Sequence, residues 1–107
     1  MTGSLVQVTH EGGVAIVTLN RPKVNALSRD LLEELHSSAL ALAQDPPGAV
    51  ILTGGSRIFA AGADISEFGG PEVAYEVAGL FHRTTAALES IGCITIAAIN
   101  GVALGGG

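Results

Sequence analysis

Two stretches of this sequence place alanine and glycine directly after apolar runs. Phe59-Ala60-Ala61-Gly62-Ala63-Asp64-Ile65 follows Ala49–Thr53 and the turn Gly54-Gly55, and Asn100-Gly101-Val102-Ala103-Leu104-Gly105-Gly106-Gly107 follows the run at 94–99. Side chains this small let a ligand come close to the main chain, whose N–H groups can then point at it. Those are the requirements for holding an anionic oxygen. Two such amides aimed at one carbonyl oxygen make an oxyanion hole, in which each preorganised donor is worth about 3–4 kcal/mol in rate.

Other chemistries find less support. A Walker loop needs Gly-Lys-Ser/Thr and a hydrolase elbow needs Gly-x-Ser-x-Gly, and neither string occurs. Gly101-x-x-x-Gly105-x-Gly107 fits the glycine pattern of a short-chain NAD(P)-dependent dehydrogenase, but that pattern should open a fold, whereas here it closes the chain. Cys93 is the one cysteine, so neither an internal disulfide nor a multi-cysteine metal site is available, and its apolar flank marks a small buried hydrophobe. His10, His36 and His82 show no metal-ligand spacing.

Composition narrows the class further. Of 107 residues, 48% are hydrophobic and 14% charged, the balance of a folded core. The net charge of -5 and the lack of a basic cluster give a nucleic acid no electrostatic footprint. The longest apolar run, at 94–99, falls far short of the roughly 20 residues that cross a bilayer. With no basic start and apolar block at the N-terminus, a cytoplasmic protein that avoids membranes is expected.

The elements that must position the two turns are readable in outline. Residues 5–9 and Val14–Leu19 are β-rich runs joined by Glu11-Gly12-Gly13, a hairpin signal. Asn20-Arg21-Pro22-Lys23 breaks the second run and begins a loop. Ser28 can cap a helix carrying Leu31, Leu32, Leu35, Ala39 and Leu42 on one face, closed by Asp45-Pro46-Pro47-Gly48. Ala49–Thr53 is expected to be a strand covered on both faces.

Residues 59–65 read as a loop entering a short helix. A second helix from near Pro71 would place Val73, Val77, Leu80, Phe81, Thr84, Leu88 and Ile91 on one face. Residues 94–99 read as a last, buried strand, and the glycines after it as the opening of a ligand-binding turn or helix. The order is that of an α/β layer structure.

Four strings, Asn20-Arg21-Pro22, Asn25-Ala26-Leu27, the 59–65 loop and the terminal Ala98-to-Gly107 segment, resemble the enoyl-CoA hydratase/isomerase (crotonase) superfamily in order and spacing over nearly the whole chain. The resemblance implies an α/β crotonase-like spiral of ββα repeats. Residues 1–107 would be the N-terminal portion of one such domain, about the first half of its core.

It also implies that the backbone amides of Ala63 and Gly106 bind a thioester oxygen and stabilise its enolate. The adenine end of coenzyme A would lie against Ala61, and the rest of coenzyme A against Lys23, Val24, Ala26, Asp64 and Ile65, with Leu104 and Gly105 joining the substrate contacts. Within the resemblance, the segment from Pro22 to Leu27 is one residue shorter than the commoner form, and Ser66 stands where many members have Lys. The two glutamates of the hydratases fall beyond Gly107. Asp64, Glu67 and Glu72 lie near the first loop, but Asp64 reads as a helix-start acid and the two glutamates as solvated.

The function so implied is enoyl-CoA hydratase or isomerase chemistry on a 2-enoyl-CoA, without a metal or redox cofactor, in a homotrimer or dimer of trimers. The alternatives are an acyl-CoA-binding or partner-binding protein without turnover, and the dehydrogenase.

Overall fold

The computed structural model describes residues 4–107. Strands β1 (Val6–Glu11) and β2 (Val14–Leu19) form an antiparallel hairpin, with Val6 opposite Leu19 and Glu11 opposite Val14. Gly12 and Gly13 make the turn alone, at φ of 56° and 85°, the left-handed pair whose twist matches that of the strands. Because two residues suffice, pairing carries β1 on to Glu11, past the expected end at Thr9.

After β2 the chain forms the short strand β3 (Ala26–Leu27) and then helix α1 (Arg29–Gln44). Ser28 caps the helix by accepting a hydrogen bond from the Leu31 amide at 3.2 Å. Leu31, Leu32, Leu35, Ala39 and Leu42 are buried, as their spacing requires. The helix returns the chain to β4 (Ala49–Thr53), parallel to β2. The pattern then repeats through β5 (Ile58–Ala60), β6 (Gly62–Ala63), a short 3-10 helix (Ile65–Glu67) and α2 (Pro71–Glu89), which leads to β7 (Ile94–Ala98), parallel to β4, and β8 (Val102–Ala103).

The main sheet has the order β1-β2-β4-β7, and the pairs β3-β6 and β5-β8 lie apart from it. The helices pack on each other, and the buried Thr84 hydroxyl of α2 donates to the Leu32 carbonyl of α1 at 3.4 Å. The core gathers Val17, Leu31, Val50 and Ile91 from strand, helix and loop. No helix among the described residues is long and apolar enough to cross a membrane.

Several expectations need correction. Residues 59–65 are not a plain loop: Ala60 and Ala63 lie in short parallel strands, because their small side chains admit neighbouring backbones. The loop after β2 likewise contains β3, and the terminal turn contains β8. Strand β7 is largely exposed instead of buried, with Ile94 at 68% and Ile96 at 49%, since it forms the edge of the sheet. On β4 only Val50 is fully buried, so the cover on its two faces is partial. On α2, Val77, Leu80 and Thr84 are buried, while Val73, Phe81 and Leu88 are half-exposed.

Candidate functional site

The loop between β2 and β3 is held by side chains that the sequence reading did not single out. Lys23 and Asn25 both adopt left-handed φ, at 76° and 51°, a region asparagine tolerates better than most residues. The buried Asn25 side chain accepts from the Arg21 amide at 2.8 Å and donates to the Phe59 carbonyl at 3.1 Å. A single guanidinium nitrogen of Arg21 donates to the Ala26 carbonyl at 3.2 Å and to the Asp64 carboxylate at 2.8 Å. This loop is therefore tied to both β5 and the end of β6. The strings Asn20-Arg21-Pro22 and Asn25-Ala26-Leu27 were visible in the sequence, but nothing in them pointed to partners so far along the chain.

The two glycine-alanine turns meet. The Leu104 amide donates to the Ala60 carbonyl at 3.0 Å, and the Gly107 amide closes the second turn on Leu104 at 2.7 Å. Gly62 has φ of 101°, and a β-carbon there would lie 2.8 Å from the Leu104 carbonyl oxygen. At Gly106 it would lie 2.7 Å from the Phe81 ring, and at Gly107 it would collide with the Ala60 carbonyl. Close approach of backbone thus requires glycine at Gly62 and Gly107, while at Gly106 a side chain would have to displace the Phe81 ring.

Ala63 and Gly106 face one cavity of about 410 Å³, whose remaining wall is Phe68, Ala74, Val77, Ala78 and Phe81. That wall carries no carboxylate and no cation. It is suited to an apolar chain ending in a carbonyl that needs hydrogen-bond donors.

A second cavity, of about 540 Å³, opens beside the first loop between Arg21, Lys23, Val24, Gly55, Ser56 and Arg57. It collects three of the chain's five Lys and Arg residues. Arg21 is paired with Asp64, whereas Lys23 and Arg57 have no carboxylate within 4.0 Å among the described residues. Arg57, which sequence reasoning missed, therefore joins Lys23 as an uncompensated cation suited to a phosphate. A wider groove of about 940 Å³ between β1 and α1 is walled by Asp30, Glu33 and Glu34, the wrong sign for that ligand.

The other expected contact residues border the same region. The Ala61 amide donates to the Val24 carbonyl at 3.0 Å, and Ala26 is the register partner of Gly62. Ile65 and Leu104 are exposed, at 78% and 57%, and Gly105 has a left-handed φ of 52°. Asp64 is committed internally: one carboxylate oxygen takes the Ser66 amide at 3.0 Å and the Ser66 hydroxyl, and the other takes Arg21. The Ser66 hydroxyl, and after it the Arg21 guanidinium, hold this carboxyl below the usual aspartate value. Glu67 accepts from the Arg29 amide at 2.8 Å, and Glu72 is exposed. No group of three metal-ligating side chains occurs among the described residues.

Comparison with known proteins follows this geometry. The enoyl-CoA hydratase/isomerase family model matches residues 9–107. A protein of Mycobacterium bovis named probable enoyl-CoA hydratase is 42% identical over 109 residues, covering 100% of this chain and 42% of its own length. The mitochondrial enoyl-CoA hydratase of Pongo abelii is 42% identical over 96 residues, covering 88% of this chain and 33% of its own. The crystal structure of an enoyl-CoA hydratase from Bacillus anthracis superposes with a TM-score of 0.89 at 36% identity, over 97% of this chain and 43% of that one. The chain thus spans less than half the length of these relatives.

Proposed function

The chain belongs to the enoyl-CoA hydratase/isomerase family, and on that premise we propose that its two glycine-alanine turns form the oxyanion hole of an acyl-CoA enzyme. The observation that carries this reading is that Ala63 and Gly106 wall a single cavity. A thioester carbonyl seated there gains negative charge as the enolate forms, and two amides aimed at it would stabilise that charge more than the neutral ground state. The apolar wall from Phe68 to Phe81 takes the acyl chain, and the coenzyme A phosphates lie toward Lys23 and Arg57. Val24, Ala26, Ala61, Ile65, Leu104 and Gly105 border the path between them.

The reaction proposed is hydration of a 2-enoyl-CoA, in which water adds its hydroxyl to the β-carbon and a proton goes to the α-carbon, or the related shift of the double bond. No acid lines the cavity among the described residues, and the proton donor and acceptor are assigned to the stretch of the relatives' length that this chain does not cover. The protein is further proposed, on the family resemblance, to be a cytoplasmic homotrimer or dimer of trimers that uses no metal or redox cofactor.

Acyl-CoA binding without turnover is a second reading, favoured by that same lack of a cavity acid. Crotonyl-CoA separates the two. Loss of the enoyl-thioester absorbance on adding the natural protein is the expected result. Protection from proteolysis without absorbance loss supports binding alone, and neither effect contradicts both.

A further inference from the structure

The peptide that presents the Ala63 amide is flanked by two backbone hydrogen bonds, from the Ala61 amide to the Val24 carbonyl at 3.0 Å and from the Asp64 amide to the Leu27 carbonyl at 3.3 Å. It lies in a pairing only two residues long, Ala26 with Gly62 and Leu27 with Ala63, and so short a ladder is weak by itself. One side of that peptide is Gly62, whose φ of 101° is open to glycine and to few other residues. An oxyanion donor, by contrast, must keep one direction, because a misplacement of about 1 Å can cost about 100-fold in rate.

Side chains add a further restraint to that short ladder. Asp64 directly follows Ala63, and its carboxylate is held on one oxygen by Ser66 and on the other by Arg21 at 2.8 Å. The same Arg21 nitrogen reaches the Ala26 carbonyl of the paired strand at 3.2 Å. Arg21 is itself placed by Asn25, which is anchored on Phe59. The Asp64 side chain is only 11% exposed and that of Arg21 33%, so solvent screens the pair less than it would an open surface pair. With both oxygens taken, and a negative charge that would repel a phosphate, Asp64 is poorly suited to hold coenzyme A.

We propose that Arg21 and Asp64 form a clasp across β3 and β6 that fixes the direction of the Ala63 amide. Both are then positioning residues and not ligands of the substrate. The inference rests on the oxyanion reading given above, and its test separates the two.

In the natural protein, Asp64→Asn and Arg21→Lys are each assayed for kcat and KM with crotonyl-CoA. The clasp predicts a fall of about 10- to 100-fold in kcat with KM changed less than about 3-fold, as expected when an interaction specific to the transition state is lost. It also predicts faster hydrogen exchange at the Ala63 amide in both variants. Asp64→Glu should recover part of the loss. A rise in KM at constant kcat would make Asp64 a coenzyme A contact and overturn the proposal, as would unchanged kinetics. If Asp64→Asn does not fold, Arg21→Lys carries the same test, because it keeps the charge but its ammonium, on a side chain one bond shorter, falls short of the guanidinium nitrogen that bridges Ala26 and Asp64. If the unmodified protein has no activity, the functional reading fails instead, and exchange at Ala63 still decides for or against the clasp.

Discussion

The β-carbon that Gly62 lacks would stand 2.8 Å from the carbonyl oxygen of Leu104 and 3.7 Å from the amide nitrogen of Gly106. The turn carrying Ala63 and the turn carrying Gly106 are in contact through this absent side chain. Gly62→Ala should therefore fail twice over, by the clash with Leu104 and by forcing a residue with a side chain to φ of 101°. Backbone strain of that kind costs about 1–3 kcal/mol. Chemical denaturation of the natural protein and its variant should show a loss of at least about 2 kcal/mol, together with loss of crotonyl-CoA hydration.

Phe81 supports the second turn from below. A β-carbon at Gly106 would come within 2.7 Å of its ring, so Gly106→Ala must push either the ring or the amide aside. The expected loss in kcat is about 100-fold, the scale seen when an oxyanion donor is removed. Adding Phe81→Leu gives the new methyl group room and should restore part of that loss. A double-mutant cycle measures the coupling, and strict additivity would mean that the two residues act independently.

Lys23 and Arg57 are the cations at the outer cavity that have no carboxylate within 4.0 Å among the described residues. Replacing either by alanine should raise the KM for crotonyl-CoA several-fold while leaving kcat nearly unchanged, since phosphate contacts far from the reacting carbons serve ground state and transition state alike. The effect should shrink as salt is raised, because exposed charges are screened. Titrations at low and high ionic strength check both points.

The carboxyl of Asp64 sits below its ordinary value in the folded chain. Its contribution to stability is present above the unfolded-chain value of about 3.9 and disappears as pH falls through the lower folded value. The Tm of the natural protein should exceed that of Asp64→Asn by a constant margin from neutral pH down to about pH 5, and the two should converge in stronger acid. A margin that persists in strong acid would show that the carboxylate charge is not what holds the loop.

Ser28 provides a contrast. Its hydroxyl caps α1 at 3.2 Å from the Leu31 amide, away from either cavity wall. Ser28→Ala should cost about 1 kcal/mol of stability and leave kcat and KM unchanged.

Much of this architecture is legible in the residues. The Gly12-Gly13 pair between two β-rich runs specifies the hairpin, and the spacing of Leu31, Leu32, Leu35, Ala39 and Leu42 specifies the buried face of α1. Both are local patterns with a fixed period. The strands β3, β5, β6 and β8 are two or three residues long, too short for any period to register, so they read as loop. The site's supports are hidden for another reason. Arg21 lies 43 residues from Asp64, and Asn25 lies 34 from the Phe59 carbonyl, separations at which only the assembled fold reveals a partner. The two glycine-alanine turns could be picked out because a backbone site asks little of a side chain, which small residues advertise, and within those turns it was the family resemblance that pointed to Ala63 and Gly106. The exposure of β7 could not, since an apolar strand looks the same in sequence whether or not it forms an edge.

The most direct test is a crystal structure of the natural protein with a saturated acyl-CoA that cannot react. The account predicts a thioester oxygen within hydrogen-bond reach, about 2.7–3.1 Å, of the amide nitrogens of both Ala63 and Gly106. A thioester oxygen bound to only one of them, or an acyl chain lying outside the cavity they share, would contradict it.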